Sequence, residues 1–286
     1  MKRILNLIIF TIMLVSLTSC SIVSSIVDLI KPDVAYTRCD KDGKSQEDGE
    51  YLLFGEYPQT LKNDSVTVTE TVDERGYYLG DDGAYYAKVV ANPYSEEYTF
   101  AGGASISSGE VYYFKVEPIR WRILSVTDGV AVMLCDSIIE NKAYDADKDN
   151  NYKNSDIRTW LNGTFYETAF AEIQRDIIVS AAVEGAEDKI YLLSASDLNN
   201  TDFGFNASLS EYDAARRLQT TDFARANGAW MKTATENYGN GSWWLRSPVE
   251  ASSNKAYRID SAGGADEGYV NHAHYGVVAA LRINLK

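Results

Sequence analysis

Between residues 51 and 136 the chain alternates short runs of aromatic and β-branched residues with polar, glycine-bearing breaks. The runs 52–57, 65–71, 85–90, 111–116, 119–126 and 130–135 have the composition of strands. Gly80-Asp81-Asp82-Gly83, Ala101-Gly102-Gly103 and Thr127-Asp128-Gly129 supply the turn chemistry between them. The clearest hairpin joins 121–126 to 130–135 through Asp128-Gly129, a pair that accepts the positive φ of a tight two-residue turn.

The period then changes. Ser155 or Asn154 can cap a helix carrying Ile157, Trp160 and Leu161 on one face, with Asn162-Gly163 as its stop. A second short helix is expected over 165–173, another opened by Ser194 and Ser196 after the apolar strand 190–193, and a longer one over 212–225. Strands return at 243–246, 256–260, 268–271 and 277–285. Within the first of these, Trp243 and Trp244 point to opposite faces, which places at most one of them in the core. No repeat, low-complexity tract or second boundary interrupts the pattern, so residues 51–286 read as a single α+β domain.

Upstream of that domain the pattern is of another kind. Lys2 and Arg3 precede an apolar run over 4–17, which ends in Leu17-Thr18-Ser19-Cys20. The run is too short for a membrane span and has the flanks of a secretory signal. Its last four residues resemble the lipobox of bacterial lipoproteins, in which the cysteine thiol is the nucleophile that takes up lipid. The expectation is a cleaved leader over residues 1–19, a palmitate-type membrane anchor on Cys20, and a flexible tether over 20–50, the second half of which is polar. Folding is then expected to begin at Tyr51.

Removing the leader takes away Lys2 and Arg3 and no acid, which moves the net charge from −14 to −16. So acidic a chain excludes nucleic acid as a partner and argues against electrostatic docking to anionic lipid. Beyond Cys20 only Cys39 and Cys135 remain. An exported protein can hold a disulfide, but two thiols do not require one. Cys135, inside an apolar run, reads as a small buried hydrophobe.

Five segments occur in a recognisable order: Phe54-Gly55-Glu56-Tyr57-Pro58-Gln59, Glu117-Pro118-Ile119-Arg120-Trp121-Arg122-Ile123-Leu124, Ser155-Asp156-Ile157-Arg158-Thr159-Trp160-Leu161-Asn162, Leu192-Leu193-Ser194 and Trp243-Trp244-Leu245-Arg246-Ser247-Pro248. Together they resemble the bacterial domain-of-unknown-function family 6273 over residues 51–286. That family is similar to C-type-lectin-like folds, including formylglycine-generating enzymes and variable surface-display proteins. The resemblance implies a C-type-lectin-like domain of short antiparallel strands and a few short helices. One departure stands out. A Gly-Val-Arg-Pro-Ala-type closing strand is here Gly276-Val277-Val278-Ala279-Ala280-Leu281, so the family's arginine is missing and Arg282 or Arg246 is left to replace it. Formylglycine-generating relatives act through cysteines near the end of the domain, and none follows Cys135 here, so that activity is not implied. Arg246 and Glu117, charges in apolar settings, each require a partner.

Three local patterns bear on chemistry. Asp145, Asp147, Asp149 and Asp156 fall at positions one, three, five and twelve of a loop leading into a helix, the oxygen-ligand spacing of a calcium site. Asn150 in place of the turn glycine, and an aspartate at the last position, fit a solvated loop with Ser155 as helix cap equally well. His272 and His274 lie two apart, so on a strand they share a face and offer a two-nitrogen metal or ligand site. No nucleophile elbow, phosphate-binding glycine loop or marked carboxylate pair accompanies them. The sequence therefore favours a non-catalytic envelope lipoprotein that binds a glycan or surface protein through Trp243, Trp244, Arg246, His272 and His274, with calcium as the one conceivable cofactor. The alternatives are an envelope hydrolase with paired carboxylates and a structural envelope protein without ligand.

Overall fold

The structure, a computed structural model, describes residues 35–285. The expected leader, Cys20 and the first part of the tether lie outside them. Antiparallel sheet dominates and the helices are few and short, in keeping with an α+β chain. The larger sheet has nine strands: β1 (Thr37–Cys39), β2 (Tyr51–Leu61), β3 (Val68–Val72), β4 (Tyr78–Gly80), β5 (Tyr85–Val90), β6 (Val111–Thr127), β7 (Val130–Cys135) and, from far downstream, β11 (Ile190–Tyr191) and β16 (Ala280–Asn284). A second sheet runs in the order β14 (Ala265–Tyr269), β13 (Lys255–Ile259), β12 (Trp243–Pro248), β15 (Gly276–Val277), β8 (Glu140–Asn141), and β9 (Ala181–Val183) pairs with β10 (Ala186–Asp188) alone.

Strand β6 organises the first sheet. Its Lys115 faces both Thr60 of β2 and Tyr86 of β5, and its Trp121 faces both Leu52 of β2 and Cys135 of β7. One strand cannot hold two partners on one edge, so β2 occupies one side of β6 while β5 and then β7 share the other. The two runs expected at 111–116 and 119–126 are thus one strand. Pro118 interrupts it without breaking it because the pairing with β2 is bulged there, and Gln59 Nε2 donates to the carbonyls of Glu117 (3.0 Å) and Pro118 (3.1 Å). Gly55 forms part of that bulge at φ +68°, and a Cβ on it would lie 2.6 Å from the Phe170 ring. The β6–β7 turn is as expected, with Asp128 at φ 51° and Gly129 at φ 77°.

Ordered pairing starts earlier than Tyr51. Arg38 pairs with Leu52 and Cys39 with Tyr51, so part of the expected tether is strand β1. Cys39 and Cys135 are both buried and free. Cys39 faces Tyr51, Tyr51 faces Arg122 and Arg122 faces Leu134, next to Cys135. Three interstrand steps of about 4.8 Å put the thiols well beyond bridging range.

The helical segments differ from expectation in length. Ser155 caps Asp156–Trp160, its hydroxyl accepting from Arg158 N–H at 3.3 Å, but Asn162-Gly163 does not stop the run. A wide turn over Leu161–Phe165 carries it into Tyr166–Ala169, while the Asn162 amide donates to the carbonyls of Arg158 and Ile190. The helix expected over 212–225 is two short pieces, Ala214–Arg216 and Asp222–Ala226, with Leu218, Gln219 and Thr220 extended between them. Gln219 and Thr220 bridge to Asn240 and Ile138, pairings a helix would forbid. After Ser194 and Ser196 come two separate single turns, Asp197–Asn199 and Thr201–Phe203, in place of the expected helix.

Buried charge is handled locally. Arg216 has no accessible surface, and its guanidinium donates to the carbonyls of Ser208, Glu211, Leu198 and Asn206. Asp188, also inaccessible, receives Nε of Arg158 on both oxygens at 2.8 and 3.0 Å. Glu140 forms no ion pair among the described residues, and the Lys142 charge only partly offsets its burial. Tyr57 donates to it at 3.1 Å, and burial pushes its carboxyl up.

Candidate functional site

The second sheet and the loop that leaves it build an exposed cluster of rings. On one face of β12–β14, Trp244 sits opposite Arg258, and Gly268 lies under the rings of Trp244 and Tyr275. A Cβ at Gly268 would meet both rings at 2.8–2.9 Å, so this glycine is what lets them settle onto the sheet. Tyr275 stands edge-on to Trp244 at 4.9 Å and receives the Arg258 guanidinium over its face at 4.6 Å.

From Tyr275 the rings continue outward. His274 is 4.3 Å from Tyr275, His272 is 5.2 Å from His274, and Tyr269 is 5.6 Å from His272. On the other flank Tyr94 lies 4.9 Å from His274 and stacks at 6.2 Å on the buried Tyr98, which its hydroxyl ties to the backbone of Met231. Tyr94 is 51% exposed and Tyr269 47%, while the histidines and Tyr275 are partly exposed. The rim charges are spent on one another: Lys255 pairs with Glu267 at 3.0 Å, and Arg258 with Asp266. Below the rings, Asn141 Nδ2 holds the carbonyls of Ala273 and Asn227, whereas its Oδ1 and His272 Nδ1 are buried without a hydrogen-bond partner.

His272 and His274 therefore come together as the spacing suggested, although in a turn after β14 rather than on a strand. Burial, followed by the charges of His272 and Arg258, lowers His274 to about 4. Because that lies below the ordinary histidine value of about 6.5, the unfolded chain takes up a proton that the folded one refuses. The resulting stabilisation is complete above pH 6.5 and is lost as pH falls toward 4. With only two histidines in the chain, imidazole NMR signals resolve this directly. One of the two is expected to stay neutral down to about pH 4, and a titration of both near pH 6.5 would contradict it.

The other sequence candidates lie elsewhere. Trp243 and Trp244 are both inaccessible, which corrects the expectation of at most one core ring: both faces of β12 are covered. Their indoles donate to the carbonyls of Arg216 (3.1 Å) and Lys142 (2.9 Å), so neither offers a stacking face to a ligand. Arg246 finds its carboxylate in Asp197 at 2.7 Å and also donates to the Leu192 carbonyl, while Val278 and Ala279, where the family's arginine and proline would stand, are buried core.

The aspartate loop uses its oxygens on itself. Asp145 accepts from Asp149 N–H, Asp149 from Asn151 N–H and Asp156 from Ala146 N–H, each at 2.9–3.0 Å. Asn150, in the place of a turn glycine, donates its amide to the carbonyls of Ser252 and Lys255 and so pins the loop to the start of β13. Asp145, Asp149 and Asp156 thus serve as turn and helix-entry acceptors, and among the described residues no three His, Cys, Asp or Glu side chains converge on a metal-sized site.

A cleft of about 410 Å³ lies over the β2–β6 bulge, lined by Gln59, Glu117, Arg120, Asp136 and Asp222 among others. Asp136 is paired with Arg120 at 2.6 Å, and Asp222 accepts the amides of Leu61 (3.1 Å) and Ala101 (2.6 Å). Two of the three carboxylates are thus occupied by structural partners.

No curated protein matches the chain, and no solved structure does. The family model described as a domain of unknown function, DUF6273, matches residues 128–285. The Phe54–Gln59 and Glu117–Leu124 segments lie upstream of that match, while the three later segments fall inside it. More than half of the chain is covered, and the protein belongs to the DUF6273 family.

Proposed function

We propose that this chain is a non-catalytic bacterial cell-envelope lipoprotein, lipidated at Cys20, whose folded part binds a ligand from the envelope or surroundings on the ring cluster of Tyr94, Tyr269, His272, His274 and Tyr275. The observation that carries the reading is the exposure of Tyr94 and Tyr269 on either side of two partly exposed imidazoles, in a set of rings held from below by Trp244. A shallow set of half-exposed rings with polar groups among them is the kind of surface on which a ligand is held. A hydrolase reading finds less support, since two of the three acids of the cleft, Asp136 and Asp222, are occupied by Arg120 and by backbone amides and cannot form a free carboxylate pair. The C-type-lectin-like kinship belongs to the same proposal. It is supported by short antiparallel strands, short helices and long connections, and a topology comparison with an experimental structure tests it.

The address and the activity are tested separately. Metabolic labelling with a palmitate analogue is expected to mark the wild type and not Cys20→Ala, and the variant is expected to leave the membrane fraction. Equal membrane retention of both removes the anchor. For the activity, the purified chain is applied to glycan and surface-protein arrays. Binding that disappears on Tyr94→Ala supports the site, whereas binding indifferent to that change moves the ligand elsewhere.

A further inference from the structure

The ring cluster has features that select among ligands. Its exposed apolar surface is small: among the described residues, Tyr94 and Tyr269 are the large exposed hydrophobes in the cluster, with the remaining ring area supplied by the histidines and Tyr275. A protein partner needs about 800 Å² on each side organised around an apolar centre, whereas the half-exposed hydrophobes here are two tyrosines set on opposite flanks of the histidines. Its charges cancel in place, as Lys255 with Glu267 and Arg258 with Asp266, and each cation also lies over a tyrosine ring, Lys255 over Tyr269 at 5.1 Å and Arg258 over Tyr275 at 4.6 Å. A strongly charged ligand would have to break these pairs to be recognised. Hydrogen-bonding capacity is left over, by contrast. Two partly exposed imidazoles stand between the tyrosines, and the paired rim carboxylates keep spare acceptor positions.

Neighbouring rings 4.3–5.6 Å apart, with the rim charges paired in place and donors and acceptors among the rings, match one chemistry. We infer that the ligand is an uncharged oligosaccharide, with the C–H faces of its rings on Tyr94 and Tyr269 and its hydroxyls bonded to His272 and His274. This rests on the binding reading above and narrows it to a substrate class.

The chain carries its own reporter, since both of its histidines are in the cluster. Full-length protein with 13C-labelled histidine is titrated at neutral pH with chitotetraose, cellotetraose and maltotetraose at millimolar concentration, and with tetralysine as the charged comparison. At least one saccharide is expected to shift both imidazole signals to saturation, with tetralysine leaving them in place. Tyr94→Ala and Tyr269→Ala, both at half-exposed positions, are expected to weaken that saccharide about tenfold each, the loss of one stacking contact, at an unchanged melting temperature. The inference is overturned if none of the three saccharides moves the signals, if tetralysine saturates them instead, or if saccharide binding survives both substitutions. Should a surface protein from the array saturate the imidazole signals where the saccharides do not, the inference fails while the binding reading stands. Saccharide binding that never reaches the histidines removes the site from both.

Discussion

Arg216→Ala is expected to destabilise the domain by about 4–5 kcal/mol, a large share of the 5–15 kcal/mol that holds an ordinary domain together. Removing the side chain strands buried acceptors. The guanidinium is inaccessible and closes off the carbonyls of Leu198, Asn206, Ser208 and Glu211, which together fix the 198–211 loop against the body of the protein. A buried acceptor left without its donor costs about 1–3 kcal/mol, partly recovered by water entering the gap. Asp213, 3.5 Å from Nε, loses its cation at the same time. Arg216→Lys should recover little, because an ammonium has three donors on a point and cannot reach four carbonyls spread across a planar fork. Urea denaturation of the three proteins decides it. A loss below about 1 kcal/mol for the alanine variant would show that the loop holds without the clamp.

How far the sequence goes is best seen at particular residues. The β6–β7 hairpin was legible because everything that defines it is local: two β-rich runs and a pair, Asp128-Gly129, suited to positive φ. Ser155 as a cap was legible for the same reason. Where tertiary pairing overrides local preference, the reading fails. The helix expected over 212–225 is cut by the pairing of Gln219 and Thr220 with distant partners, and by the burial of an arginine that no amphipathic pattern would place inside. Trp243 and Trp244 were assigned opposite faces correctly, but alternation says nothing about whether the second face is covered, and here it is. In the candidate site, the two histidines were found from their spacing, and the rings that complete it were not. Tyr94 comes from a loop far upstream and meets His274 only through the fold, and Tyr275 is placed by what Gly268 lacks. A tyrosine after Pro93 in a polar loop carries no local mark of that role. The aspartate loop shows another limit: a ligand-like spacing is also the spacing of consecutive backbone caps, which draw on the same carboxylate oxygens.

The reach of the fold also differs from the reach of the family match, and this sets the second large effect. A fragment comprising residues 128–286 is expected not to fold, whereas residues 36–286 are expected to melt cooperatively. The match starts at Asp128, inside the β6–β7 turn, so a fragment cut there keeps β7, β11 and β16 and loses the strand to which β7 is paired. The loss extends into the core. Phe54 packs on Phe170 at 5.1 Å, Tyr57 on Phe165 at 5.4 Å and on Phe223 at 5.6 Å, Phe114 on Phe223 at 5.6 Å, and Trp121 on Phe170 at 6.3 Å. In each pair one ring is upstream of residue 128 and the other downstream, so the cut divides the core between two chains. Burying one such ring stabilises by about 1.5–3 kcal/mol. Exposing three phenylalanines at once removes about 4.5–9 kcal/mol, and with the open edge of β7 this takes most of the 5–15 kcal/mol that a domain has to lose. Differential scanning calorimetry separates the outcomes: a single transition for 36–286 and none for 128–286. A cooperative transition in the shorter fragment would mean that the matched segment is a domain in its own right and that β1–β6 are an addition to it.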